Sequence, residues 1–181
     1  MQGAEYEKKI AVYNWDNLLD LWKGIESGNT PGWESGKALE YLILRAFQLE
    51  GAEVTWPYSV RVDGEELEQI DGVVYSDGLA CLIECKDTVE RVSIEPIAKL
   101  RNQLLRRPAT AIGSVFSRSG FTEPALTLAQ FITPQTVLLW SGEEITYALE
   151  NQCFRQALTK KYRFCIERGI TYYNIKVEDV L

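Results

Sequence analysis

The sequence predicts an α/β fold in which helices flank a central mixed β-sheet. The first observation is a change of period: apolar residues recur at helical spacing up to about Glu50, at strand spacing up to Lys86, and in alternating longer and shorter segments thereafter. The second is size. With 181 residues, 46% of them hydrophobic, the chain can build one domain with a proper core but not two well-separated ones. We therefore expect a single domain over residues 1–181.

Two amphipathic helices are expected before the sheet. In the first, apolar residues at positions 15, 18, 19, 22 and 25 share one helical face, and Asn14 is a suitable N-cap. The second should run from Ser35 to Glu50, because Gly51 is a typical C-terminal stop.

A three-stranded antiparallel meander should follow these helices. Asp-Gly pairs at positions 63–64 and 77–78 separate three alternating apolar runs, and this pattern is a strong hairpin signal. The runs are Val54 to Val62, a segment through Val74 and Tyr75, and Leu79 to Lys86.

The second half should contain three helices and up to three strands. The expected helices are Ile94 to Arg107, Glu123 to Phe131, and one long helix from Glu143 to Glu167. The expected strands are Thr110 to Ser117, Thr136 to Trp140 and, as a candidate edge strand, Ile170 to Val177.

Composition excludes several classes of function. The chain has no histidine, so carboxylates and lysines must perform any catalysis that imidazole performs elsewhere. A net charge of −7 argues against nonspecific coating of nucleic acid, yet seven basic and three acidic residues lie between Lys86 and Gly120 and predict a local basic surface. Neither a long apolar run nor a secretory signal is visible, so we expect a cytoplasmic protein without membrane contact.

The turn at Asp77-Gly78 fixes the register of its hairpin and places two carboxylates together. A two-residue turn pairs Ser76 with Leu79 and, further along, Asp71 with Glu84. Directly opposed residues have Cβ atoms about 4.5–5.5 Å apart, so both carboxylates can bind one divalent cation. Lys86 should emerge on the same face two residues later, whereas Ile70 should lie on the opposite face.

The opposed carboxylates need a counter-charge, because they repel each other at the end of a buried strand pair. A metal ion would supply it. Alternatively, Lys86 neutralises Asp71 and Glu84 in a static ion network. A protein that needs only stability can place apolar residues there at little loss, and this consideration favours the metal.

These residues resemble the active-site signature of the P-D…(D/E)-x-K restriction-endonuclease-like nucleases. Ile70-Asp71-Gly72 is followed, after twelve residues between the two acids, by Glu84-Cys85-Lys86, with Ile70 where the motif has proline. Segment 36–41 (GKALEY) looks like that superfamily's first helix, and segment 113–122 (GSVFSRSGFT) is similar to the S-x-x-G-F-T region of Mrr-type restriction endonucleases. The resemblance implies a restriction-endonuclease-like sandwich with an N-terminal helical extension (1–33), a catalytic core (34–141) and a C-terminal region (142–181).

The resemblance also implies a Mg²⁺-dependent endonuclease, with Mn²⁺ as a substitute, that hydrolyses DNA to leave a 3′ hydroxyl and a 5′ phosphate. Asp71, Glu84 and the backbone carbonyl of Cys85 would bind the metal, and Glu40 would complete the site through water or a second cation. Lys86 would orient or deprotonate the attacking water. Gln103 is the counterpart of a glutamine near the active site of Mrr-type relatives.

DNA contacts are expected from the segment after the lysine strand. The candidates on the helix are Lys99, Arg101, Arg106 and Arg107, and those on the following loop are Ser117, Arg118 and Ser119. Cutting both strands would favour a homodimer. The alternatives are an ordinary solvated helix face, a catalytically silent nuclease fold that binds DNA or protein, and a structural protein with a buried salt network.

Overall fold

The computed structural model confirms the predicted α/β class. It describes residues 2–177. Residue 1 and residues 178–181 of the expected single domain lie outside the described residues. The helices are α1 (Gln2–Ala11), α2 (Trp15–Ser27), α3 (Lys37–Leu49), α4 (Ile94–Leu104), α5 (Glu123–Phe131), α6 (Gly142–Asn151) and α7 (Phe154–Arg168). The strands are β1 (Glu53–Thr55), β2 (Tyr58–Val62), β3 (Glu65–Ile70), β4 (Gly72–Ser76), β5 (Leu79–Lys86), β6 (Ile112–Ser117) and β7 (Val137–Trp140).

A five-stranded mixed sheet forms the centre of the molecule, in the order β1-β4-β5-β6-β7. The pairs β1/β4 and β4/β5 are antiparallel, and β5/β6 and β6/β7 are parallel. Helices α4 and α5 connect the parallel strands, as parallel pairing requires. Between residues 2 and 177, no helix is both long and apolar enough to cross a membrane.

Helices cover both faces of this sheet and make it the middle layer of a sandwich. On one face, Leu42 of α3 and Phe154 of α7 pack in one core with Ile83 of β5. On the other face, Leu100 of α4 packs in a second core with Leu82 of β5. Strand β5 is therefore buried from both sides, as the apolar content of its sequence indicated.

The predicted meander is wrong in its first two strands. The expected strand from Val54 to Val62 divides at Trp56-Pro57 into β1, which pairs with β4, and β2, which pairs with β3 in a separate two-stranded ribbon. Proline lacks the N–H that a continuous central strand requires. Gly72 then starts β4 at φ 153°, where a Cβ would come within 2.6 Å of Leu44.

The hairpin at Asp77-Gly78 has the predicted register. Ser76 pairs with Leu79, and the pairing continues to Gly72 opposite Ile83. Both turn residues have positive φ, 52° and 81°, as a type I′ turn requires. Asp71 is the next residue, one position beyond the last pair.

The alternation predicted that Ile70 lies on the opposite face of the hairpin from Asp71 and Glu84, and this prediction is wrong. Ile70 belongs to β3 and packs in the same core as Val73 and Leu82, below α4. The reason is the change of direction between β3 and β4 at Asp71-Gly72, which interrupts the alternation on which the prediction rested.

The predicted long C-terminal helix is two helices, α6 and α7. Gln152 adopts a left-handed conformation (φ 51°, ψ 50°) and ends α6. The Glu50 carboxylate then accepts hydrogen bonds from the amides of Phe154 (2.6 Å) and Arg155 (3.2 Å), which satisfies the first donors of α7. A distant side chain thus stabilises a break that the local sequence does not signal.

The predicted edge strand from Ile170 to Val177 is not a strand. Its backbone is held mostly by side chains: Lys161 donates to the carbonyl of Tyr173 and Glu144 accepts from the amide of Ile175. Lys161 also donates to the carbonyl of Leu139 on β7 and forms an ion pair with Glu144, each at 2.6 Å. Side chains therefore form hydrogen bonds with backbone N–H and C=O groups that would pair with a neighbouring strand in a sheet.

Candidate active site

Three buried acids at α3 and near the end of β5 lie close enough for their charges to affect one another. Glu40 lies in the first turn of α3, Asp71 in the connection between β3 and β4, and Glu84 near the end of β5. Their relative exposures are 7%, 7% and 0%. Fold topology thus brings together residues separated by more than forty positions in the chain.

Asp71 is the acid with the most perturbed environment. Burial, followed by the negative charges of Glu84 and Glu40, raises the pKa of Asp71 to about 7. The Cys85 amide donates a 2.8 Å hydrogen bond to its Oδ2 atom and, with the charge of Lys99, opposes this rise. Among the described residues, no cation forms an ion pair with Asp71.

The backbone of Cys85 faces Asp71. In antiparallel pairing, a residue directs its N–H and C=O to the same neighbour, and the Cys85 N–H points to Asp71. The carbonyl of the next residue, Lys86, points the other way and accepts from the Arg118 amide at 3.2 Å. The Cys85 carbonyl is therefore directed towards the side where Asp71 lies.

Glu84 is held between two lysines. Its Oε1 atom lies 2.8 Å from Nζ of Lys86, and its Oε2 atom lies 2.7 Å from Nζ of Lys99 on α4. Burial disfavours the charge of Lys86, but Glu84, with smaller contributions from Asp71 and Cys85, outweighs that effect and raises the pKa of Lys86. Lys86 is thus a cation at the acidic cluster.

Glu40 forms an ion pair with a different lysine. Lys37, one turn earlier on α3, lies 2.7 Å from its Oε2 atom. Burial still raises the pKa of Glu40, and the charge of Glu84 adds to this effect, although Lys37 and Lys86 oppose it. The sequence prediction did not include Lys37, whose i,i+3 spacing from Glu40 was the available signal.

The donor set suits a hard divalent cation. It comprises carboxylate oxygens and a backbone carbonyl, the ligand types of Mg²⁺ and Mn²⁺. The nearest thiol, Cys85, is buried, which raises its pKa well above the usual value and keeps it a poor ligand. Within residues 2–177, no three metal-binding side chains are grouped closely enough to hold a metal ion as they stand, and lysines pair with both Glu40 and Glu84.

Gln103 lies beside this cluster but contacts the backbone. Its buried side chain donates a 3.1 Å hydrogen bond to the carbonyl of Gln69, two residues before Asp71. Arg106 and Arg107 both pair with Glu68, the latter at 2.8 Å. Glu68 was absent from the predicted site.

The predicted loop contacts serve the protein's own structure. The hydroxyl of Ser117 donates to the Gly120 carbonyl (2.8 Å), and that of Ser119 donates to the Glu90 carbonyl (2.6 Å). Arg118 pairs with Asp87 at 3.0 Å and donates to the carbonyl of Ile25. Arg101, by contrast, is partly exposed on α4.

An open cleft of about 750 Å³ adjoins the acidic cluster. Lys86 and Lys99 line it, together with the loop that follows β5 and Pro96 on the first turn of α4. It gives solvent access beside the buried Glu84.

The fold is of the restriction-endonuclease-like class. Residues 34–149 match the Mrr catalytic-domain family, described as restriction endonuclease. The chain belongs to this nuclease family, as its motifs predicted.

Two solved structures are similar to this chain. One is the crystal structure of AF1548, a protein of unknown function, with a TM-score of 0.50, 17% identity, and coverage of 72% of this chain and 77% of that chain. The other is the MspJI restriction endonuclease in complex with a 27-mer oligonucleotide, with a TM-score of 0.43, 18% identity, and coverage of 90% of this chain and 36% of that chain. The chain thus spans about a third of the MspJI chain. No curated protein matches its sequence.

Proposed function

We propose that the protein is a Mg²⁺-dependent endonuclease that hydrolyses phosphodiester bonds of DNA, leaving a 5′ phosphate. The observation that carries this proposal is the environment of Asp71. A buried carboxyl group next to two other buried acids, without a cation of its own among the described residues, is costly for stability and suited to metal binding.

Each residue of the cluster has a role in this reaction. Asp71, Glu84 and the Cys85 carbonyl would hold Mg²⁺, and Glu40 would complete the site. The bound ion supplies Lewis-acid stabilisation of the charge that develops on the phosphoryl group. Lys86, which lines the open cleft, would orient or deprotonate the attacking water and offset phosphate charge.

The two alternatives account less well for these contacts. A purely structural salt network would give each acid a cation, as Lys37 does for Glu40, yet Asp71 has none among the described ion pairs. A catalytically silent nuclease fold has no need for Asp71, Glu84 and Lys86 together.

Metal titration combined with plasmid cleavage tests the proposal. The wild-type protein should bind Mn²⁺ in calorimetry and cut plasmid DNA in Mg²⁺ but not in EDTA, whereas Asp71→Asn should lose both properties. Asp63→Asn is the matched control, since it makes the same charge change at an exposed turn of the β2–β3 ribbon. A wild-type protein that binds no divalent cation would overturn the proposal.

A further inference from the structure

Lys99 is placed to compete with a metal ion. Its Nζ atom lies 2.7 Å from Oε2 of Glu84, a carboxylate that the proposed function assigns to the cation. The side chain of Glu84 is 1% exposed, whereas that of Lys99 is 42% exposed and lines the open cleft. One end of this ion pair is fixed in the sheet, and the other is free to move into solvent.

Lysines neutralise two of the three acids without a metal. Lys37 pairs with Glu40, and both Lys86 and Lys99 pair with Glu84. A divalent cation would add two positive charges next to these ammonium groups. Repulsion between the cation and the nearest ammonium groups then favours the release of a lysine and the recruitment of anions.

Lys99 is better suited to leave than Lys86. Lys86 is on the same strand as Glu84, two residues away, and its side chain is only 33% exposed. Lys99 reaches Glu84 from α4, fifteen positions along the chain, so a change of rotamer separates the pair without moving the sheet. The cleft beside it, of about 750 Å³, is open to solvent and gives the released ammonium group room to move.

We propose that Lys99 is an exchange residue: it neutralises Glu84 in the metal-free protein, leaves when a divalent cation binds, and then pairs with a DNA phosphate in the cleft. This inference rests on the proposed function and assigns its site a regulatory step. Metal binding would thereby create a phosphate contact, so metal and DNA should each raise the affinity for the other by the same factor.

Removing the ammonium group of Lys99 should raise the affinity for the cation but reduce the effect of the cation on DNA binding. Lys99→Met keeps much of the aliphatic stem but no longer competes for Glu84, so its affinity for Ca²⁺ or Mn²⁺ without DNA should rise at least about threefold, the scale of a partly exposed ion pair. The gain in DNA affinity that Ca²⁺ produces should shrink in the same variant. A residue with only a structural role would not raise cation affinity when removed.

Calorimetry with Ca²⁺ and DNA-binding titrations in Ca²⁺ or EDTA measure both effects without cleavage. Lys99→Arg keeps the charge and should restore the Ca²⁺-dependent gain in DNA affinity, and Lys23→Ala, which removes an exposed lysine paired with Asp20, is the control. Thermal unfolding verifies that each variant folds. If the wild type binds cation but Lys99→Met has wild-type cation affinity and DNA gain, this inference alone is wrong. If the wild type binds no cation, both proposals are wrong.

Discussion

The Cys85 amide donates a 2.8 Å hydrogen bond to the Asp71 carboxylate across the open end of the β4–β5 hairpin. This contact orients Asp71 towards the acidic cluster but does not balance its charge, because burial and the charges of Glu84 and Glu40 hold its pKa at about 7. The same carboxyl group therefore affects both the stability of the protein without metal and the metal binding proposed for it.

The metal-free protein should lose stability as pH rises from about 4 to about 7. In this window the folded state binds the Asp71 proton, whereas the unfolded state, with its usual pKa of 3.8, releases it. The free energy of unfolding therefore decreases with rising pH and levels off above the folded-state pKa. Urea denaturation across this range, in EDTA, measures the effect.

Asp71→Asn should reduce that pH dependence, because the amide cannot ionise and still accepts the hydrogen bond from Cys85. Above pH 7 the metal-free variant should be more stable than the wild type, and the advantage should shrink towards pH 4. Mg²⁺ should reverse the order by stabilising only the wild type. Equal pH profiles in the two proteins would mean that Asp71 does not titrate in this window.

The local parts of this site were predictable from sequence, and its long-range contacts were not. The two-residue turn at Asp77-Gly78 fixes a register by counting, so the pairing from Ser76 with Leu79 to Gly72 with Ile83, next to Asp71, needs no tertiary information. The ion pair of Glu68 with Arg106, in contrast, depends on how the β2–β3 ribbon meets the turn that follows α4. The break between α6 and α7 likewise depends on the remote Glu50.

The ion pairs of Glu68 should limit DNA binding by Arg106 and Arg107, which follow the end of α4 rather than lying on it as the sequence predicted. If Arg106 and Arg107 contact phosphates, they must leave Glu68, and Glu68→Gln removes that cost. The variant should bind DNA more tightly, with a salt slope steeper by up to about two units if both arginines then reach phosphates. Glu66→Gln, at an exposed acid of the same ribbon, is the control. An unchanged slope would identify both arginines as structural partners of the ribbon.

The buried ion pair between Lys161 and Glu144 should be important for stability rather than activity. Both residues are buried, and Lys161→Ala would leave Glu144 without its cation and remove the hydrogen bond to Tyr173. We expect a loss of about 3–5 kcal/mol in the free energy of unfolding, measured in urea. Arg163→Ala, at an exposed pair with Glu167, should cost at most about 1 kcal/mol.

Substitution of Lys86 should separate catalysis from metal binding. Lys86→Ala removes the group proposed to activate water and to offset phosphate charge, but it leaves Asp71 and Glu84 free to hold the cation, and Lys99 still neutralises Glu84 in the metal-free protein. Calorimetry should therefore detect metal binding in the variant. Plasmid cleavage in Mg²⁺ should fall at least about 100-fold, the low end for the loss of a positioned acid-base or electrostatic group. Lys23→Ala, which removes an exposed lysine from α2, should cleave at the parent rate. Cleavage by Lys86→Ala at that same rate would mean that the activity arises elsewhere, and the nuclease site could not then be assigned to β5.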